Sequence, residues 1–338
     1  MSVSIQTVAE DEADIRLDRW FRRHFPHITQ AAMQKLCRTG QVRVDGGRVE
    51  GSTRLLPGQA VRVPPLPAGP APKPVPVVDE RVVRELERMV VYRDDHVIVL
   101  DKPWGLPVQG GPGITRHLDG MLDGLRGGTW GDGGKPKLVH RLDRDTSGVL
   151  ILARGAASAA KLAAAFRTRH VRKTYWAVVH GRPSPQEGRV DMPLIRLGSG
   201  PGALTSAAER DDEDAASALT DYRTLEAAGR KLAWLELQPL TGRTHQLRVH
   251  CEALGTPIVG DPKYGPQEED KKLHVEGLAM KLHLHARSLS VPHPAGGTLD
   301  VAAPLPPHMR DSFRLLGFTA PPTPEPRLHR GRTEAREG

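Results

Sequence analysis

The chain has 338 residues and a formal net charge of +8, from 48 Lys and Arg against 40 Asp and Glu. This length accommodates about two domains, and the positive excess favours a polyanionic partner. The two cysteines, Cys37 and Cys251, form no Cys-x-x-Cys pair, so neither a disulfide framework nor a cysteine-based zinc site is predicted. There is no signal-peptide pattern and no apolar run of about 18 residues, so we expect a cytoplasmic protein that does not span a membrane.

Residues 14–63 are predicted to form a small α/β unit of two helices followed by strands. An amphipathic helix precedes Thr29, which is a suitable N-cap for a second helix ending at Gly40. Alternating apolar and polar residues predict a strand at 42–44, and a last strand is expected at 60–63.

The small unit is strongly basic, with ten Lys or Arg against four acids. A charge run is usually a solvated helix face, but an excess of one sign favours contact with nucleic acid. Three segments resemble the S4 RNA-binding domain: RLDRWF at 16–21, QVRVDG at 41–46 and PGQAVRV at 57–63. The resemblance implies RNA binding by basic side chains on the two helices. These are Arg16, Arg19, Arg22, Arg23, Lys35 and Arg38.

Proline content marks the boundaries of a second, larger domain. Seven prolines within residues 64–78 predict a semi-rigid linker, placed at 64–79, before a domain at 80–318. Proline and charge also predict a disordered basic tail at 319–338.

The large domain mixes short strands with helices. Continuous apolar runs at 97–100 and 149–152 are typical of buried strands, and residues 156–169 indicate a helix. The predicted inward face of this helix consists of Ala160, Leu162, Ala163 and Phe166. Further strands are predicted at 174–179, 232–237 and 289–291. Because helices and strands do not alternate strictly, we expect an α+β domain with a mixed, mainly antiparallel sheet.

Residues 140–148, HRLDRDTSG, place charged and hydroxyl side chains directly before the buried strand at 149–152. A polar loop on a rigid strand commonly presents chemistry to a cleft, although a salt-bridged turn has the same composition. The loop alone therefore does not indicate a function, and other segments of the chain are needed to decide between these interpretations.

Four segments together resemble the RluA-type pseudouridine synthases over about residues 86–310. They are DKPWGLPVQGG at 101–111, HRLDRDTSGVLILAR at 140–154, RKTYWAVVHG at 172–181, and PLTGRTHQLRVHCEALGTPIVGDPKYG at 239–265 with LHLHARSLSVPHP at 282–294. With the S4-like unit, the layout is closer to the RluC and RluD kind than to single-domain members. The resemblance implies an isomerase that converts uridine to pseudouridine in 23S ribosomal RNA or in the pre-ribosomal large subunit. We expect a monomer.

Pseudouridine formation breaks the bond from ribose to N1 of uracil, turns the base and rejoins it through C5. This needs a carboxylate and a pocket for an extruded base, but no cofactor and no metal. By the resemblance, Asp143 is this carboxylate, either as nucleophile or as the group that assists glycal formation, and Asp145 is its rival. Arg248 matches the basic residue that pairs with the aspartate, and Arg243 competes for that role or contacts phosphate.

Other site residues also follow from the resemblance. Tyr175 matches a tyrosine whose ring stacks on uracil and whose hydroxyl serves in proton transfer. Arg141 matches the arginine that helps to displace the target base, and Leu247 is expected in the apolar wall of the uracil pocket. His140 and His245 are expected to support loops through hydrogen bonds rather than act as general bases.

Other functions fit parts of the pattern. A non-catalytic RNA-binding or ribosome-assembly factor would keep the fold, and a synthase of this kind can also act on tRNA. The complete set of Arg141, Asp143, Tyr175 and Arg248 favours the enzyme, because a pure binder does not need it. An S4-linked methyltransferase would need a glycine-rich cofactor loop, and GGTWGDGGKP at 127–136 is instead interpreted as a flexible loop facing the substrate.

Overall fold

The structure, a computed structural model, describes residues 3–67, 79–126, 130, 134–168, 170–198, 203–209, 211–266 and 275–330. Most of the predicted linker, most of the glycine-rich stretch at 127–136 and the last eight residues lie outside the described residues. The chain divides into two compact units, Met1–Val77 and Val78–Gly338.

The first unit combines two helices with a four-stranded antiparallel sheet in the order β1-β4-β2-β3. Its elements are β1 Ser4–Thr7, α1 Leu17–His24, α2 Gln30–Arg38, β2 Arg43–Val44, β3 Gly47–Arg48 and β4 Ala60–Val63. The helices and the sheet share one hydrophobic core. Strand β1 precedes the predicted unit. Its residues are mostly exposed, so no alternation of buried apolar and exposed polar residues predicts a strand there.

Local sequence signals explain how the helices of this unit begin and end. The Thr29 hydroxyl accepts a hydrogen bond from the Ala32 N–H at 3.3 Å, as its N-cap position predicts. Gly40 follows α2 with a φ of +72°, a conformation that glycine adopts without steric cost. The apolar faces of the two helices are buried, and Trp20 is fully excluded from solvent.

Among its described residues, the second unit contains an eleven-stranded sheet, a separate two-stranded sheet, five α-helices and a 3-10 helix at Leu122–Leu125. The helices are α3 Glu80–Met89, α4 Leu118–Met121, α5 Ala156–Arg167, α6 Gln246–Ala253 and α7 Pro307–Leu316. The strands are β5 Val90–Arg93, β6 Val97–Lys102, β7 Lys137–Leu138, β8 Ser147–Ala153, β9 Arg172–His180, β10 Glu187–Asp191, β11 Leu194–Leu197, β12 Leu204–Ala207, β13 Leu219–Ala228, β14 Leu232–Pro239, β15 Leu284–Pro292, β16 Thr298–Ala302 and β17 Arg327–His329.

The large sheet has the order β10-β13-β14-β9-β15-β8-β6-β5, with β16 and β17 continuing from β15 and with β7 on β8. Among the described residues, β8 and β15 form its one parallel pair, and the other pairings are antiparallel. The predicted α+β class with a mixed, mainly antiparallel sheet is therefore confirmed.

Strand β15 sets the spacing between two motifs of the sequence. Ala286 of β15 lies opposite Gly148 of β8 on one side and Tyr175 of β9 on the other. Because neighbouring strands are about 4.8 Å apart, the loop before β8 lies about 10 Å from the strand that carries Tyr175.

The predicted strands at 97–100 and 149–152 form the buried centre of the sheet, in β6 and β8. Leu100 and Leu150 pack towards α3 and α4, while Val99 and Ile151 pack towards α5. Since both faces are covered, these strands have continuous apolar runs rather than an alternating pattern.

The predicted inward face of helix α5 was partly wrong. Leu162 is buried and Phe166 is half-buried, but Ala160 and Ala163 are exposed, while Ser158 and Ala165 are buried instead. The helix is so rich in alanine that its apolar residues do not define a single face.

The C-terminal tail is partly ordered, contrary to the expectation from its composition. Residues 327–329 form β17, which pairs with β16. Arg287 donates hydrogen bonds to the Thr323 hydroxyl and the Pro322 carbonyl. Such partners from a distant strand cannot be inferred from local composition. No helix in the described part of the chain is long and apolar enough to cross a membrane.

A substitution at Gly148 tests this arrangement of strands. Gly148 has a φ of +107°, and an added Cβ would overlap the backbone carbonyl of Ala286. Backbone strain of about 1–2 kcal/mol and overpacking of about 1–3 kcal/mol add together. We expect Gly148→Ala to lower the free energy of unfolding by at least about 2 kcal/mol in chemical denaturation.

Gly229→Ala is the matched control. Its φ is +61°, but an added Cβ would meet no atom within 4 Å. It should therefore show the backbone strain alone. Equal losses of stability in the two variants would contradict the close approach of β8 and β15.

Candidate active site

A cavity of about 770 Å³ opens between the loop before β8, strand β9 and helix α6. Its lining includes all the site residues predicted in the large domain, namely Arg141, Asp143, Tyr175, Arg243, Leu247 and Arg248. Among the described residues, Asp143 is the single carboxylate that lines this cavity, and several cationic side chains surround it.

Asp143 lies in the loop that leads into β8, and its side chain is 23% exposed. Its Oδ2 atom is 4.0 Å from Nη1 of Arg248 and 4.0 Å from Nε2 of His245. The rival carboxylate, Asp145, does not line the cavity. It accepts two hydrogen bonds from the Arg144 guanidinium instead.

The closest ionic partner of Arg248 is Asp261, a residue to which the sequence analysis gave no role. The Arg248 Nε and Nη2 atoms lie 2.7 and 2.6 Å from the two oxygens of Asp261. This bidentate pair leaves Nη1 for Asp143, so Arg248 faces two carboxylates at different distances. Asp261 belongs to the quoted segment GDPKYG at 260–265, and its position in a motif was the one available signal.

The loop around Asp261 also holds the carboxylate, through backbone hydrogen bonds. The backbone N–H groups of Lys263 and Tyr264 donate to its Oδ1 at 2.9 and 3.0 Å. Burial alone would raise the pKa of Asp261, but the hydrogen bonds and the charge of Arg248 outweigh burial and hold this pKa below its ordinary value. Asp261 is therefore a permanent anion at neutral pH.

The proton of His245 is placed by two neighbours. The Thr205 N–H donates to the Tyr264 hydroxyl at 2.8 Å, and the same hydroxyl lies 2.8 Å from Nδ1 of His245. The Asp143 carboxylate, 4.0 Å from Nε2, favours the neutral tautomer whose proton is on Nε2, and in that tautomer Nδ1 accepts from the Tyr264 hydroxyl. Burial lowers the pKa of His245, which favours this neutral form.

Tyr175 lines the cavity from β9. Burial, together with the charge of Asp143, raises the pKa of its hydroxyl, so the group stays protonated at neutral pH. The hydroxyl forms no hydrogen bond with the residues that the structure describes. It is available to a ligand in the cavity.

Lys102, which no sequence pattern indicated as a site residue, anchors the loop that carries Asp143. Its buried ammonium donates hydrogen bonds of 2.9 Å to the carbonyls of Pro103, Leu106 and Arg144. Burial lowers the pKa of Lys102 to about 7, against the opposing charge of nearby aspartates. Three acceptors favour the protonated form, because a neutral amine has two N–H groups.

The predicted substrate-binding residues differ in how firmly they are held. Leu247 is buried on α6, as expected for a pocket wall. Arg243 is exposed and donates to the Ser217 carbonyl at 3.0 Å. Arg141 is exposed, and its guanidinium forms no hydrogen bond or ion pair with any residue in the described ranges. It is free to move with a bound ligand.

His140 has a structural role, as predicted. Its Nε2 atom accepts a hydrogen bond from the Ile151 N–H at 2.9 Å, and its ring stacks on Phe166. Burial lowers the pKa of His140 to about 3. The ring is therefore neutral, with its acceptor nitrogen already occupied.

The six basic residues predicted to bind RNA lie in the first unit, and all six are exposed. Arg16 and Arg38, together with Arg48, line a second cavity of about 700 Å³. Arg23 forms an ion pair of 3.2 Å with buried Glu12, so it also supports the fold of this unit. In the described ranges, no cluster of three or more potential ligands could hold a metal ion.

The sequence pattern of the RNA pseudouridylate synthase family matches residues 96–253. The chain is 34% identical to "Ribosomal large subunit pseudouridine synthase C" of Vibrio cholerae, over 91% of this chain and 95% of the relative. It is 33% identical to "RNA pseudouridine synthase 4, mitochondrial" of Arabidopsis thaliana, over 88% of this chain and 78% of the relative.

A solved structure has the same fold over most of its length. The structure of human RNA pseudouridylate synthase domain containing 4 superposes with a TM-score of 0.58 at 32% identity. The match covers 72% of this chain and 98% of the human chain.

Neutralising Asp261 tests the importance of the buried ion pair. The Asp261→Asn substitution leaves the Arg248 guanidinium, which is 4% exposed, without its closest anion. Breaking a buried pair by removing one partner costs about 3–5 kcal/mol. We expect a loss of this size in the free energy of unfolding at neutral pH, measured by chemical denaturation.

Asp221→Asn provides the control, because Asp221 forms a bidentate pair with Arg189 at 2.6 and 2.9 Å on the surface. Its loss of stability should be much smaller, since solvent screens both charges. If Asp261→Asn were as stable as Asp221→Asn, the buried pair would not organise this site.

Proposed function

Because this chain belongs to the family of RNA pseudouridine synthases, we propose that it converts specific uridines of 23S ribosomal RNA into pseudouridine. The family membership and the names of the bacterial relatives support this substrate. The observation that carries the proposal is chemical. A single carboxylate, Asp143, faces a cavity whose other titratable groups, in the described ranges, are cations, histidines and one tyrosine.

In the proposed reaction, Asp143 acts at the ribose of an extruded uridine. As a nucleophile it would attack the anomeric carbon as the bond to N1 breaks, and in the glycal route it would take a proton from the sugar. Both routes need an ionised carboxylate next to the ribose. The Arg248 guanidinium, at 4.0 Å, is a counter-charge for this carboxylate.

Arg248 is proposed as the fixed counter-charge. A flexible cation would follow the carboxylate or leave for an RNA phosphate, whereas Arg248 is held by two short hydrogen bonds to Asp261. Fixed charges do not need to reorganise as charge moves during the reaction. Arg243, which is exposed at the rim, is proposed to contact phosphate instead.

Tyr175 is proposed to hold the uracil ring and to take part in proton transfer. Its aromatic face suits stacking, and its unpartnered hydroxyl suits a hydrogen bond to the base. Because its pKa is raised, the hydroxyl acts first as a proton donor. Leu247 is proposed to complete the apolar wall around the base.

RNA binding is proposed to use two further groups of residues. Arg141, which has no partner in the described part of the structure, is proposed to fill the place that the target base leaves. In the first unit, the exposed basic side chains are proposed to bind the RNA backbone, as in an S4 domain. These are Arg16, Arg19, Arg22, Arg23, Lys35 and Arg38.

Mapping of pseudouridines tests the proposed substrate. Ribosomal RNA from a strain lacking the gene should have lost pseudouridine at one or more positions of the large-subunit RNA, and the purified protein should restore them. Loss of pseudouridine from tRNA alone would replace the proposed substrate with tRNA. No loss in either RNA would refute the proposed function.

The Asp143→Asn variant should form no detectable pseudouridine and should bind RNA with nearly the affinity of the parent. The amide has the shape of the carboxylate, but it cannot attack the ribose or accept its proton. Product formation is measured by tritium release from labelled uridine, and binding by filter retention. Asp145→Asn is the control, since its carboxylate is outside the cavity and product should still form. Product from Asp143→Asn would refute the assigned carboxylate.

The Tyr175→Phe variant should lower kcat about 100-fold or more, with little change in KM. The phenyl ring keeps the stacking surface and loses the hydroxyl that donates a proton. Burial raises the pKa of this hydroxyl, so its ionisation should be absent from the neutral part of the parent's pH–rate profile. An unchanged kcat would limit Tyr175 to stacking.

A further inference from the structure

Trp104 is an exposed aromatic ring on the turn that contacts the loop of Asp143, and the proposed chemistry does not use it. It is 36% exposed, whereas the other four tryptophans, Trp20, Trp130, Trp176 and Trp234, are buried. Among the described residues, it is the one aromatic side chain with this degree of exposure. Burial in a core therefore does not explain its presence.

The turn that carries Trp104 is firmly held. Pro103 fixes the backbone before it, and Gly105 has a φ of +82° after it. The Gly105 N–H donates to the Arg144 carbonyl at 3.0 Å, and Lys102 ties the carbonyls of Pro103 and Arg144 together. The ring is thus presented on a rigid turn.

Two connections join this turn to the catalytic groups. Arg144, which binds the turn through its carbonyl, directly follows Asp143 in the chain. Lys281 places its Nζ 5.0 Å from the centre of the Trp104 ring, and its backbone packs tightly against Gly260, which precedes Asp261. Trp104 is therefore next to both the loop of Asp143 and the loop of Asp261.

The surroundings of the ring are suited to a nucleotide. Lys281 is an exposed cation whose Nζ lies over the Trp104 ring, and Met280, 77% exposed, adds apolar surface. Proteins that bind single-stranded nucleic acid combine such an aromatic platform with nearby positive charge, because every base has a face that can stack. A protein partner would instead be expected to cover a larger apolar patch.

We propose that Trp104 stacks on one unpaired base of the RNA that carries the target uridine, with Lys281 beside the phosphate of that nucleotide. The inference rests on the proposed function, since it assumes an RNA substrate in the cavity. Extruding a uridine disturbs the stacking of its neighbours, and a second aromatic platform next to the loop of Asp143 offsets this cost. Trp104 thereby adds affinity for single-stranded or loop RNA without taking part in bond breaking.

Affinity measurements test the proposal in the full-length protein with transcripts of the large-subunit RNA. Trp104→Ala should raise both Kd and KM about tenfold and leave kcat at saturating RNA nearly unchanged. Trp104→Phe should recover most of the affinity, because it keeps an aromatic face. Leu315→Ala removes another exposed apolar side chain, which is 53% exposed on α7, and should match the parent.

Fluorescence gives an independent readout that does not need the target uridine or turnover. Adding an oligouridylate of about ten nucleotides should quench the parent's tryptophan emission through the exposed ring. The Trp104→Phe variant should bind the same RNA with little quenching. Full quenching in this variant would refute the stacking site, whether or not the Ala variant folds.

The outcomes separate the two hypotheses. If the parent forms pseudouridine but Trp104→Ala keeps the parent's Kd and KM, the stacking site is refuted and the proposed function stands. If the parent forms no pseudouridine in any RNA, the proposed function fails, while lost quenching in Trp104→Phe would still support stacking. Unchanged RNA affinity with reduced binding to ribosomal particles would assign Trp104 to a protein contact and overturn the proposal.

Discussion

The buried pair between Arg248 and Asp261 is the interaction on which the geometry of the cavity depends. Removing an arginine almost fully from water costs free energy, unless an anion and further hydrogen bonds compensate for the lost hydration of the guanidinium. Asp261 accepts two hydrogen bonds from the Arg248 guanidinium and two more from the backbone N–H groups of Lys263 and Tyr264. One guanidinium nitrogen is thereby left at a fixed position facing Asp143. The carboxylate proposed for catalysis thus meets a charge that other residues hold in place.

The order of the strands in the large sheet sets a second constraint on the site, because it determines the distance between the two sides of the cavity. Asp143 precedes β8, Tyr175 lies within β9, and β15 separates them. The parallel pairing of β8 with β15 requires a glycine at position 148, because the Ala286 backbone occupies the space of a side chain. Gly148, which ends the HRLDRDTSG run, is therefore required for the fold, while Asp143 in the same run is available for catalysis.

The sequence predicted those features that depend on local signals. The apolar runs of β6 and β8, the cap at Thr29 and the α+β class all follow from patterns of a few residues. The role of Asp261 was not predicted, because it arises from Arg248, thirteen positions earlier, and apart from its place in the segment at 260–265 nothing local distinguishes it from a surface acid. The inward face of α5 was misassigned because alanine fits either side of a helix, and β17 was missed because its partner strand is distant in sequence.

The protonation states in the cavity narrow the proposed mechanism further. His140 is neutral and already accepts a hydrogen bond, and His245 presents its proton rather than a lone pair to Asp143. Lys173 donates to the Thr241 carbonyl while burial lowers its pKa, and Tyr175 keeps its proton because its pKa is raised. Among the described groups that line the cavity, Asp143 is the one carboxylate. The same carboxylate that starts the proposed reaction is then also suited to receive the C5 proton at its end, once the new bond has freed it from the ribose.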